Sequence, residues 1–218
     1  MKDLQKMGGV AALIHAAAYV VGIALGVTLI FPVLDSDPGQ YMAFVADNQP
    51  LMHIWILGCY WIAAVALVVM ALALYERLKA GSPALVQTAT VFGFIWAGLI
   101  IGSANLMLYD FGVIADLYGK DPAQAGTIWL TIDSVLGGLA GSNEVIGGIW
   151  VLLVSWSALR TRELPRVLNY LGVVVGVAGL ISIVPALDIF IYIFALGQIV
   201  WFIWLGIAML RSNPGKTA

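Results

Sequence analysis

Long apolar runs alternate with short polar breaks along this chain, and the runs have the length of membrane spans. They fall at about 8–33, 51–75, 84–109, 141–160, 165–186 and 188–210, each close to the roughly 20 residues that cross about 30 Å of hydrocarbon. The breaks are rich in turn formers. "SDPGQ" and "DNQP" bracket the first loop, "GSP" at 81–83 closes a short one, and "VPALD" at 184–188 closes the last. "RTRELPR" at 160–166 is a tight connection with Pro165 placed to start the next helix, and the tail "RSNPGKTA" is polar. The pattern predicts an all-α polytopic bundle of six transmembrane helices, forming a single integral membrane domain over 1–218.

The fourth run does not fit its span. Apolar character already begins near Thr127, and from there to Leu159 an unbroken helix would be about 50 Å long. The sequence predicts a separate amphipathic helix at about 123–138, broken from the span near Gly137 and Gly138. The first run follows Lys2 and Lys6, as a secretory signal would. Its apolar stretch of some 24 residues exceeds the roughly 7–15 of a signal core, which predicts a retained helix.

Composition agrees with a lipid solvent. The chain is 62% hydrophobic and 10% charged; a soluble domain carries about 25% charged residues, so no water-facing surface can be built from so few. A net charge of −2 without a basic stripe speaks against nucleic acid as a partner. The single cysteine, Cys59, excludes an intrachain disulfide and reads as a small core residue.

Charge placement orients the bundle. With the N-terminus inside, Lys2, Lys6, Arg77, Lys79, Arg160, Arg162, Arg166, Arg211 and Lys216 face the cytoplasm, against Lys120 alone outside. That bias follows the positive-inside rule for an even number of crossings, with both termini cytoplasmic. Asp35, Asp37, Asp47, Asp110, Asp116 and Asp121 read as outer-loop residues, and Tyr41, Trp55, Tyr109, Trp129 and Tyr170 as interfacial aromatics.

Small residues recur at helical spacing, where membrane helices approach most closely. The stripes are Gly137, Gly141, Glu144 and Gly148 in the fourth span, continued by Ser134 and Ser155; Gly98, Gly102, Asn105 and Tyr109 in the third; His15, Ala18, Gly22 and Gly26 in the first; and Gly172, Gly176 and Gly179 in the fifth. Each is expected to face the bundle. Glu144 would then point inward, sparing the cost of at least about 2.5 kcal/mol for a charge facing lipid at depth.

Depth groups the polar candidates. Glu144 stands about 24 Å above Arg160 and Gln198 about 20 Å above Arg211. With Asn143, Asn105, His53 and Tyr60 they are the candidate ligand-binding residues of an outward-opening polar cavity, and Ser103 and Ser142 fall in the same half. The reading in which these polar groups only tie helices together stands beside it. His15 and His53 lie some 15–20 Å apart in depth, too far for one metal with ligand bonds near 2 Å. No HExxH, P-loop or GxSxG pattern is present, and no metal or cofactor is assigned.

"RLKAGSPAL", "WVLLVSWSALRTRELPRVLNYLGVVVGVAGL" and "ALGQIVWFIWLGIAML" together resemble the bacterial membrane family catalogued as DUF4386. The most specific part is Leu164, Pro165 and Arg166 before a glycine-rich span. The resemblance implies six helices in a bacterial inner or plasma membrane and no assigned activity. It also aligns Gly197-Gln198 with a Gly-Glu pair and Glu144 with a glutamine. Carboxylate and amide have then exchanged helices, which implies contact between Glu144 and Gln198. Leu136 stands where a histidine is expected, which argues against carrying over histidine chemistry.

Three functions are consistent with the residues. The first is a non-enzymatic protein that binds, senses or conducts a small molecule at Glu144. The second is an intramembrane enzyme using Glu144 as general base with His53 or Asp133. The third is an accessory subunit whose glycine faces dock another membrane protein. Membrane lipids are partners in every case.

Overall fold

The computed structural model describes residues 2–34 and 38–211, with side chains over the same stretches except at 2 and 140–142. The expected turn at 36–37, the tail at 212–218, and the expected placements of Gly141 and Ser142 lie outside the described residues. Seven helices run through the described residues: α1 (Asp3–Leu34), α2 (Pro38–Asp47), α3 (Gln49–Leu78), α4 (Pro83–Tyr118), α5 (Pro122–Thr161), α6 (Arg166–Ile181) and α7 (Ile189–Arg211). No strand is present among them. Five, α1, α3, α4, α5 and α7, are long and apolar enough to cross a membrane. α6 is apolar but has 16 residues, about 24 Å of axis against about 30 Å of hydrocarbon.

Helix ends follow local chemistry. The Asp121 carboxylate caps α5 by accepting the Gln124 N–H at 3.1 Å, with Pro122 in the first turn. α5 stops at Arg162, which takes a left-handed conformation (φ 56°) and returns its N–H to the Ala158 carbonyl. α6 begins directly after Pro165, as its fixed φ favours.

Six helices close into a ring in which each packs on its chain neighbour: α1 on α3, then α4, α5, α6 and α7, which returns to α1. α2 lies across α4 and α5 at one end. The opposite end carries the basic residues, where the Arg77 guanidinium meets the Glu163 carboxylate at 3.6 Å and the Gln5 amide donates to the Met209 carbonyl.

Three expectations are corrected. The amphipathic helix expected at 123–138 is not separate: α5 runs unbroken through Gly137 and Gly138 for 40 residues. Two glycines weaken a helix without ending it when both flanks are helix formers. The first loop contains α2, which buries Tyr41, Met42 and Val45. α4 extends past its expected end, so Asp110 is a helical residue only 1% exposed instead of a loop residue; apolar Phe111 and Ile114 beyond it carry the helix onward into a second core.

The main core fills the ring on its basic side with rings of carbon. Trp96, Trp150, Trp201 and Phe202 are fully buried, with centroids 5.2–6.4 Å apart at mixed angles, the offset and edge-on geometry that aromatic quadrupoles favour. His15 joins them, 4.4 Å from Phe202, with Nδ1 donating to the Ala63 carbonyl at 2.8 Å. A second core at the α2 end gathers Ile30, Met52, Trp55, Phe111, Ile114 and Trp129.

The glycine stripes divide into contacts and openings. A β-carbon on Gly148 would lie 2.8 Å from the Gly176 carbonyl oxygen and 3.1 Å from Gly179 Cα, so α5 and α6 touch backbone to backbone. Gly22 makes room for a side chain instead: a β-carbon there would lie 2.9 Å from Cys59 Cβ. The third-span stripe is reversed: Gly98, Gly102, Asn105 and Tyr109 face outward, Tyr109 is 76% exposed, and nothing lies within 4 Å of a β-carbon at either glycine. α4 instead turns Trp96, Ile100 and Ser103 inward, because the ring centre needs bulk.

Candidate functional site

Between the two cores the ring encloses a cavity of about 400 Å³. α1 contributes Tyr19, Gly22 and Phe31, α3 contributes Trp55, Cys59 and Tyr60, and α4 contributes Ser103 and Met107. Tyr41 comes from α2. α5 supplies Trp129, Asp133, Leu136, Gly137, Asn143 and Glu144 along one face. Counted from Trp129, each of the others lies at a sum of threes and fours, which keeps them on one broad face, with about 16 Å from Asp133 to Glu144. Asp133, Gly137, Phe31 and Leu34 are exposed and form the rim; Glu144 lies deeper and is half-buried.

Two of the helices around the cavity lose regular α-geometry beside it. α1 widens to a π turn at Gly26–Ile30 and α3 to one at Leu57–Trp61. Ile30 in the first, Phe31 just after it, and Cys59 and Tyr60 in the second line the wall. A π turn adds a residue per turn and re-aims the side chains after it, and such turns concentrate at functional sites. The Trp55 indole N–H ties the two helices by donating to the Gly22 carbonyl at 3.1 Å.

Glu144 stands within electrostatic reach of Tyr19 and Tyr60. Behind Tyr19, buried Gln198 hydrogen-bonds its hydroxyl, and His15 stacks on its ring at 4.9 Å. Glu144 and Gln198 therefore share Tyr19 as a neighbour. At the rim end, burial pushes the Tyr41 phenol above its ordinary range, reinforced by the carboxylates of Asp110 and Asp133. Tyr41 packs on Trp129 with centroids 4.4 Å apart.

Of the six residues expected from sequence, Glu144, Asn143 and Tyr60 line this cavity and Gln198 sits one layer behind it. The other two lie elsewhere. His53 turns its Nδ1 to the Gln49 carbonyl of its own helix at 2.7 Å and packs near Phe111. Asn105 faces outward on the reversed stripe. Sequence reasoning missed Tyr19 as a wall residue. Its signal was available: Tyr19 is one turn past His15 and three residues before Gly22, on the edge of an inward stripe. Among the described residues no group of three or more His, Cys, Asp or Glu side chains is placed to hold a metal ion.

Residues 7–208 match the family described as "Domain of unknown function (DUF4386)", and the chain belongs to that family. No curated protein and no solved structure matches the chain.

Proposed function

We propose that this DUF4386 member is a multi-pass protein of a bacterial plasma membrane that binds or senses a small molecule in the cavity around Glu144. The observation that carries the reading is a carboxylate inside an apolar helix ring, beside a cavity of ligand size and next to two π turns. An intramembrane ionisable group is a functional candidate by default, and pockets for small ligands run to about 300–1,000 Å³. Use of Glu144 as a general base draws less support, since His53 lies outside the cavity and Asp133 about 16 Å away along the helix.

In this reading α6 counts as a sixth crossing. An even number puts nine Lys and Arg on the cytoplasmic side and Lys120 opposite, with both termini inside and the cavity mouth outward. Cysteines introduced at Lys79 and Lys120 of intact cells test this: an impermeant thiol reagent labels position 120 and spares position 79. Labelling of both or of 79 alone rejects the topology.

Native mass spectrometry of the purified protein tests the binding. A co-purifying molecule is expected on the wild type and absent from Glu144→Gln. A spectrum of bare protein in both cases, across several detergents, rejects the reading in favour of a scaffold.

A further inference from the structure

Charge of one sign only faces the cavity. Glu144 and Asp133 line it, and among the described residues no lysine, arginine or histidine does. The ion pairs Arg77–Glu163 and Lys79–Glu76 lie at the basic end, away from it. Aromatic rings share the lining with the carboxylates: Trp129 packs on Tyr41, and Trp55 meets Tyr60 edge-on at 5.8 Å. Ring faces attract cations, quaternary ammonium above all.

Two polar groups at the wall have spare hydrogen-bonding capacity. Ser103 lines the cavity, is 5% exposed, and its Oγ has no hydrogen-bond partner. Buried Ser155 and Ser157 of α5 share that state, while more exposed hydroxyls of these helices bond their own backbone. Thr90, Thr131 and Ser134 each donate to the carbonyl four residues back. Asn143 donates its amide to the Leu139 carbonyl and leaves Oδ1 without a partner. The amide oxygen, the carboxylates and the ring faces present negative potential, and the Ser103 hydroxyl, donor and acceptor alike, can turn a lone pair toward a cation.

We propose, resting on the reading that the cavity is a ligand site, that its ligand is an organic monocation, a small tertiary or quaternary ammonium compound. It enters past Asp133 and brings its charge to Glu144. Its substituents lie against the tryptophan and tyrosine faces. The volume suits such a molecule, and the described residues offer no cluster for a bare metal ion.

The test uses the full chain in phosphatidylcholine nanodiscs and equilibrium dialysis with three probes of nearly one shape. These are benzyltrimethylammonium, its uncharged carbon isostere neopentylbenzene, and the anion benzylsulfonate. The cation is expected to bind at least about tenfold more tightly than either of the others. Glu144→Gln should remove that preference. Asp133→Asn, an exposed rim substitution that leaves both cores intact, should weaken cation binding about twofold to fivefold. Equal binding of cation and isostere, or preference for the anion, overturns the proposal while leaving a ligand site in place. If none of the three binds, the co-purified molecule decides. An amine supports the proposal, and a neutral or anionic molecule overturns it. No co-purified molecule overturns both the proposal and the ligand-site reading.

Discussion

On the basic side of the ring, backbones touch and three tryptophans fill the centre; toward α2 the same helices spread around a cavity. One helix shows both outcomes on a single face. At Gly148, α5 meets Gly176 and Gly179 of α6 so closely that no β-carbon fits. Eleven residues earlier, Gly137 meets nothing within 4 Å and forms part of the cavity rim. A glycine in a membrane helix permits close approach without enforcing it. What stands opposite decides. Facing Gly148 is a second glycine run; facing Gly137 are α1 and α3, whose π turns interrupt their regular packing.

Substitutions break or sharpen this contrast. The largest effect belongs to Trp150→Ala, which should cost about 3–5 kcal/mol in an SDS-unfolding titration. Trp129→Ala should cost less than half as much, because Trp129 already borders open space; equal losses would dissolve the distinction between the halves. Next comes Gly176→Ala, whose new methyl would fall 2.8 Å from both the Gly148 carbonyl oxygen and the Leu152 backbone nitrogen. It should destabilise by about 1–3 kcal/mol by overpacking. Smallest is Gly137→Ala, which should leave stability unchanged or raise it by up to about 1 kcal/mol, since alanine is the better helix former and meets no neighbour. A loss there comparable to Gly176→Ala would mean that the rim closes on Gly137.

Much of this architecture was legible in the residues. Five of the six apolar runs lie in helices long enough to cross a membrane, and the tight connection at Pro165 and the glycine faces of α1 and α6 follow from composition and spacing. Glu144 was legible too, because a carboxylate in an apolar run has few tolerable positions. The face of α4 was not. Gly98, Gly102 and Asn105 share a stripe as convincing as any other, yet Trp96 and Ser103 are the residues turned inward. In lipid the outward face is apolar as well, so periodicity locates a stripe without saying which side of it meets protein. Asp110 was hidden for a related reason: charge suggested a loop, while the apolar residues after it continued the helix.

The chain alone determined its apolar, helical class and the place of Glu144 within an apolar run, because each follows from transfer free energies that act residue by residue. Closure of the ring determined the rest. Tyr19, Tyr41, Ser103 and Trp129 lie on four different helices, and no local rule relates them. They share a cavity because the six packed helices close on one another, and because π turns offset the side chains of two helices by a fraction of a turn.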